Sequence, residues 1–145
     1  PDGPGVMLIT HEGDFALDRT GGRLGLLYQR KAALPGDMGQ RLAGVSRIAL
    51  TACRMLEGEP RLGGGLVFSP GELLVIANDR LLAPNTDEAY RRLEPHLRFL
   101  GESLYGEFDL QRVVNDSHER LAARLTGDTS TAIDALVERL QRTVE

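Results

Sequence analysis

Three short apolar segments occur near the start of the chain, at residues 6–10, 14–19 and 23–29; the first is a continuous apolar run, and apolar residues alternate in the other two. In the third segment, Leu24 and Leu26 fall on one face of an extended chain. Turn-forming glycines separate the three segments. Alternation bounded by turn residues is typical of half-buried strands. The pattern therefore predicts three strands joined as an antiparallel meander.

From Met38 to Glu57 the apolar period changes to 3.6 residues, which predicts one long helix. Asp37 precedes it at the position where a side chain caps the first turn. We expect the helix to bury a stripe of apolar residues. The stripe consists of Leu42, Val45, Ala49, Ala52, Cys53 and Leu56, flanked by Ile48 and Met55.

Two further strands are predicted after this helix, near residues 65–69 and 72–78, joined by a turn at Pro70 and Gly71. The second of these strands contains a continuous apolar run. Such a run indicates a central strand that is buried on both faces.

After Pro84 the pattern is helical to the end of the chain, and we expect helix for most of residues 86–144. Pro95 lies inside the first helix of this region and is expected to kink or divide it. A second helix is expected from about Asp109 to Gly127. The last helix carries an apolar stripe that can fold back on its neighbour or dock on another subunit. That stripe consists of Ile133, Leu136, Val137, Leu140 and Val144.

These elements predict one α+β domain over residues 1–145, strand-rich with one helix over residues 6–82 and helical over residues 83–145. We expect an antiparallel sheet of about five strands, one long inserted helix and a helical C-terminal third.

Charge and cysteine usage narrow the classes of partner. Seventeen basic against twenty-one acidic residues give a net charge of −4, which argues against nucleic acid. No apolar run is long enough to cross a membrane. The sequence shows neither a secretory leader nor a second cysteine beside Cys53. We therefore expect a cytoplasmic protein without disulfides.

Candidate chemistry is sparse, and we expect no catalytic residues, no metal and no cofactor. The three histidines have no metal-ligand spacing, and Cys53 lies on an apolar helix face, which favours a buried thiol. Asp79 and Arg80 follow a predicted strand at a sheet edge, and His118 lies in a polar cluster. These three are the candidate binding residues, although pairing of Asp79 with Arg80 and a solvated helix face around His118 are the favoured explanations.

The order of elements resembles the longin/profilin-like group, which includes the Roadblock modules and the small sigma and zeta subunits of vesicle-coat adaptors. Residues 72–140 carry the resemblance. A strand leads to a helix containing Glu88-Ala89-Tyr90, followed by the step Glu107-Phe108-Asp109-Leu110 and a break at Gly127-Asp128. The resemblance implies a module that binds a GTPase or a larger subunit.

The leading hypothesis is a non-catalytic interaction or regulatory module that acts through a protein partner or a homodimer. Ile133, Leu136 and Leu140 are its candidate interface residues. One alternative is a small enzyme or ligand-binding protein whose site is assembled from scattered residues, such as Asp79 and His118. Another is a small acidic chaperone. A closed polar pocket would favour the enzyme, and an extended apolar surface or a symmetric dimer would favour interaction.

Overall fold

A computed structural model describes residues 7–9, 13–18, 25–30, 36–62, 68–77, 84–113, 119–128 and 130–144 of the 145-residue chain. The fold is α+β, as the sequence predicts. Its elements, in chain order, are β1 (Met7–Ile9), β2 (Gly13–Asp18), β3 (Gly25–Arg30), α1 (Met38–Glu57), a 3-10 turn (Pro60–Leu62), β4 (Glu72–Ile76), α2 (Asp87–Tyr105), β5 (Asp109–Arg112), β6 (Ala122–Thr126) and α3 (Ile133–Val144).

The predicted N-terminal meander is confirmed. Strands β1, β2 and β3 pair antiparallel in chain order. Phe15 lies opposite Tyr28, and the two ring centroids are 4.5 Å apart. Aromatic pairs at this spacing add to the stability of a sheet beyond their buried area. This sheet contacts the rest of the described fold through β3 and α1.

The expectation of one five-stranded sheet is wrong. The described strands form two antiparallel sheets of three strands each, and the second has the order β4-β6-β5. Two of its strands come from the region that the sequence pattern assigns to helix. Residues 83–145 are therefore mixed, and the helical C-terminal third is wrong as well.

The helix predicted from Asp109 to Gly127 is replaced by β5 and β6. Its spaced apolar residues also fit two strands, because Leu110 and Leu125 lie directly opposite each other in the ladder. Along β5 exposed and half-buried residues alternate, which is the period of a strand. Asn115-Asp116-Ser117, which occur between the two strands in the sequence, are typical turn formers. Cross-strand packing therefore outweighs the helical reading of a sparse apolar pattern.

Helix α1 begins and ends where the sequence predicts. The Asp37 carboxylate accepts a hydrogen bond from the Gln40 backbone N–H at 2.8 Å, and the Gln40 side chain accepts one from the Asp37 N–H at 3.0 Å. This reciprocal pair satisfies two of the donors that a helix start leaves open. Asp37 is therefore confirmed as the N-cap.

The face that α1 buries most deeply differs from the predicted stripe. We call it the buried line, and it consists of Gly39, Ala43, Ser46, Leu50 and Cys53; Gly44, which is also buried, lies away from this line. Of the predicted stripe only Cys53 is fully buried, while Leu42, Val45, Ala49, Ala52 and Leu56 are half-buried. Helix α1 as a whole packs mainly against α3 and also contacts α2 and β3. Small side chains let two helices approach closely, so they are covered more completely than the larger residues beside them.

Strand β4 is not the doubly buried central strand that its apolar run indicates. Leu74 and Ile76 are 42% and 39% exposed, and in the described sheet the central strand is β6. Part of the strand predicted at residues 65–69 lies outside the described residues, while Phe68 and Ser69 belong to no strand.

Helix α2 runs without interruption from Asp87 to Tyr105 although it contains Pro95. Pro95 cannot donate the hydrogen bond that would satisfy the Arg91 carbonyl. Both residues are exposed, so water can replace this bond. The predicted division of the helix therefore does not occur.

The core lies between the three helices and the inner face of the β4-β6-β5 sheet. Its fully buried large side chains are Leu97, Leu100, Leu104, Leu121, Leu125, Leu136 and Leu140. Arg139 of α3 donates a hydrogen bond to the Leu104 carbonyl at 2.6 Å. This bond satisfies a carbonyl that the C-terminal end of α2 leaves open.

Candidate functional site

The predicted interface residues of α3 lie inside the chain. Ile133 is 7% exposed, and Leu136 and Leu140 are fully buried in the core. Helix α3 contacts α1 and α2, so its stripe folds back on the same chain. These three side chains are therefore not available to a partner protein in the folded chain. Asp79, Arg80 and His118, the candidate binding residues, lie outside the described residues.

The position of the single thiol, Cys53, makes it unreactive. Cys53 is 8% exposed on the buried line, and burial raises the pKa of its thiol to about 12, with a further contribution from the nearby Glu57 carboxylate. Since the thiolate is the reactive form, this side chain is unreactive near neutral pH. The structure therefore assigns Cys53 to packing.

Arg112 forms the most elaborate polar cluster in the described structure. Its guanidinium contacts the Asp87 carboxylate, lies 3.0 Å from the Asn85 side-chain oxygen and stacks over the Tyr90 ring, 5.5 Å from the centroid. These contacts join β5 to the beginning of α2. The cluster fixes the helix on the sheet, and the guanidinium is already engaged by groups of the same chain.

Two other kinds of site are absent from the described residues: a metal centre and a membrane-spanning helix. Among the described residues, no group of three or more His, Cys, Asp or Glu side chains could hold a metal ion. None of the described helices is both long and apolar enough to cross a membrane.

A second, largely apolar surface runs along α1 and shares Val45 and Ala52 with the half-buried stripe. We call it the α1 seam, and it consists of Met38, Arg41, Val45, Ile48, Ala52 and Met55, which follow one another at spacings of three and four residues. Met55 is 70% exposed and Met38 is 42% exposed. Val45, Ile48 and Ala52 are half-buried. The seam therefore leaves a large apolar side chain in water at each end of the helix, with half-buried apolar residues between them.

The α1 seam lies on nearly the opposite side of the helix from the buried line. Successive residues of an α-helix are turned by about 100°, so the two are centred roughly 150° apart. Among the half-buried apolar residues of α1, Leu42 packs against the core, whereas Val45 and Ile48 are not among the described residues that do. Contacts of α1 with other parts of the chain, β3 among them, half-bury these two residues without placing them in the core.

The polar side of α1 faces its own neighbour rather than solvent alone. Arg54 pairs with Asp134 of α3 at 3.4 Å, and the Thr51 hydroxyl is buried. A helix on a protein surface usually turns its charged face outward and its apolar face inward. In α1 the exposed Met38 and Met55 depart from this arrangement, which singles out the α1 seam as a surface with another use.

Leu74 and Ile76 form a second exposed apolar pair, on the outer face of β4. Their neighbours on this face are mixed, because the sheet register places Arg124 opposite Leu74 and Ala122 opposite Ile76. Arg124 also pairs with Glu72 at 2.9 Å. Apolar residues interspersed with ion pairs are ordinary on a solvated sheet face. This face is therefore a weaker candidate for docking than the α1 seam.

The chain was compared with protein-family models, with curated proteins and with solved structures, and no match was found in any of the three. The functional assignment therefore rests on the residues and geometry described above.

Proposed function

We propose that this chain is a non-catalytic protein-interaction module that binds its partner through the α1 seam. The exposure of Met38 and Met55 on a seam that continues through Val45, Ile48 and Ala52 is the observation that carries the proposal. Exposed large apolar side chains that are joined by a half-buried apolar seam are typical of a surface that another protein covers. We further propose that the module works in the cytoplasm.

Burial of the α1 seam by a partner would contribute a substantial free energy to binding. Burying a whole Met, Val or Ile side chain contributes about 1.5–3 kcal/mol. Met55 retains most of its surface in water and Met38 retains nearly half. Covering these two residues alone is therefore worth about 2–3 kcal/mol before the half-buried residues between them are counted.

The proposal depends on this surface and not on the resemblance to longin-like modules. In that resemblance, Glu107-Phe108-Asp109-Leu110 leads into a helix. In this chain Asp109 and Leu110 begin β5. An interaction module is the function class that the resemblance also implies, so the two arguments agree on class while differing in the element that would bind.

The test is photocrosslinking at the α1 seam in cells that contain the protein at its natural level. A benzophenone amino acid replaces Met55 in one variant and Arg92 in the control. Arg92 is a matched position because its side chain is 64% exposed and lies on α2, away from the seam.

We expect a discrete crosslinked protein from position 55 and none from position 92. A second copy of the chain or a different protein would support the proposal equally. Equal labelling from both positions, or no adduct from position 55, would contradict it. A heterogeneous series of adducts would favour the chaperone alternative.

A further inference from the structure

We infer that the α1 seam binds the same seam of a second copy of this chain, with the two α1 helices antiparallel around a two-fold axis through Ile48. This inference rests on the proposed function and names the partner. It is carried by three features of the seam: its spacing, the fit of its side chains, and the position of its charges.

The spacing of the seam is that of a helix that packs along another helix. Its positions alternate between steps of three and four residues from Met38 to Met55. This alternation is the heptad pattern in which each side chain fits between side chains of a facing helix. A further step of four residues from Met55 reaches Glu59, just beyond the end of α1.

The side chains of the seam match one another when the second helix runs in the opposite direction. With Ile48 opposite Ile48 of the second copy, Val45 lies opposite Ala52 and Arg41 lies opposite Met55. A branched residue then faces a small one on both sides of the central layer. Large residues facing small ones allow helix surfaces to interdigitate.

The charges distinguish this arrangement from a parallel one. A parallel pair would place Arg41 against Arg41 of the second copy, between apolar layers. The antiparallel pair instead places the Arg41 guanidinium one layer from Glu59 of the second copy. Like charges held close together are destabilising, whereas opposite charges set partner orientation.

The two charged residues are also available for this contact. Arg41 is exposed and has no ion-pair partner among the described residues. Glu59 accepts a bond from Arg61 at 3.1 Å, and the Arg61 side chain is 91% exposed. A carboxylate has acceptor sites for a second guanidinium. The ion pair within each chain therefore does not prevent the pair between chains.

The first experiment measures the dissociation constant of the dimer by sedimentation of the full chain. We expect a reversible dimer for the unmodified protein, and a loss of association of at least about tenfold for Ile48→Arg, which brings two like charges together at the axis. The control is Leu74→Arg. Leu74 is 42% exposed on the opposite face of the β4-β6-β5 sheet from the helices, so this variant should keep the affinity of the unmodified chain. Thermal melting of each variant shows that it is folded.

The second experiment exchanges the charges. Arg41→Glu and Glu59→Arg should each weaken the dimer by about tenfold, since each variant replaces two opposite-charge contacts with two like-charge contacts. The double variant Arg41→Glu/Glu59→Arg should recover the affinity of the unmodified chain. In a parallel dimer the double variant would give no recovery.

A chain that sediments as a monomer at its highest soluble concentration would overturn the homodimer. So would a dimer that Ile48→Arg leaves intact. Failure of the double charge exchange to restore affinity would overturn the antiparallel arrangement. If position 55 then crosslinks to a different protein, the homodimer fails but the proposed function survives. Failure of the homodimer and failure of the proposed function are therefore distinguishable.

Discussion

Replacing Gly101 with alanine perturbs the place where α2 turns back into β5. Gly106 ends the helix with a positive φ of 74°, and the chain then brings the Phe108 ring back onto Gly101. A Cβ added at Gly101 would lie 2.5 Å from Cδ2 of Phe108 and closer still to Cε2 and Cζ. The absence of a side chain at Gly101 therefore makes room for the Phe108 ring.

Two effects of opposite sign compete in Gly101→Ala. Alanine is favoured over glycine in a helix interior by about 1 kcal/mol. Forcing a methyl group into a filled site costs about 1–3 kcal/mol, and the ring is held from its other side by core residues. The added Cβ would overlap three ring atoms, which places the steric cost at the upper end of this range, about 2–3 kcal/mol. We therefore expect a net loss of about 1–2 kcal/mol in the free energy of unfolding.

Urea denaturation followed by circular dichroism measures this loss, at one fixed protein concentration because self-association adds to stability. The control is Gly39→Ala, whose added Cβ would lie 3.4 Å from Oδ1 of Asp37 and 3.5 Å from Cδ1 of Phe99. These are ordinary contact distances, so Gly39→Ala should cost nothing. In a Phe108→Leu background the atoms nearest Gly101 are gone, and Gly101→Ala should become neutral or stabilising. If Gly101→Ala stabilises the unmodified protein, the Phe108 ring does not occupy this site.

Three other predictions concern single sites. Gly127→Ala should lower stability by about 1–3 kcal/mol, since its Cβ would lie 2.7 Å from Cβ of Tyr105 and closer to the ring; an unchanged urea midpoint would contradict this. Thr51→Val should raise the melting temperature by the equivalent of about 1 kcal/mol, because the buried Thr51 hydroxyl has no hydrogen-bond partner among the described residues; a lower melting temperature would show that the hydroxyl is bonded. Burial raises the pKa of Cys53 and of Tyr105 to about 12 in the folded protein. Their contribution to stability is therefore complete below the unfolded pKa values, about 8.5 and 10, and is lost as pH rises through 12. Cys53→Ala should therefore make the free energy of unfolding decline less steeply above pH 9. In the unmodified protein, Cys53 should react slowly with a thiol reagent until the protein unfolds. Rapid labelling of the folded protein would refute the burial of Cys53.

The sequence predicts an element well where the signal is local. Asp37 and Gln40 form a reciprocal cap within four residues, so the beginning of α1 can be placed from the sequence. The N-terminal meander is also local, since each strand pairs with its neighbour in the chain. Strands β5 and β6 are harder, because the packing of Leu110 opposite Leu125 becomes visible only in the ladder. Tertiary contacts decide between helix and strand when the apolar residues are few.

The candidate surface was harder still to predict, because both faces of α1 contain apolar residues. Hydrophobicity directs attention to the larger residues such as Val45 and Leu56, whereas the core takes the smaller ones, Gly39 and Ala43. The spacing of small residues at 39, 43 and 46 is the signal that could have identified the buried face. The α1 seam, with Met38 and Met55 exposed at its ends, lies on nearly the opposite side.

The pairing of β4 with β6 has a consequence for how the protein emerges from the ribosome. All of α2 and β5 is synthesised between these two strands. Until Leu121 and Leu125 have been translated, Leu73 and Val75 on the inner face of β4 lack the strand that joins them to the core. The Leu136 and Leu140 side chains, which complete that core, appear later still. Nascent chains that end before residue 140 therefore hold uncovered apolar surface, which makes incomplete chains prone to aggregation.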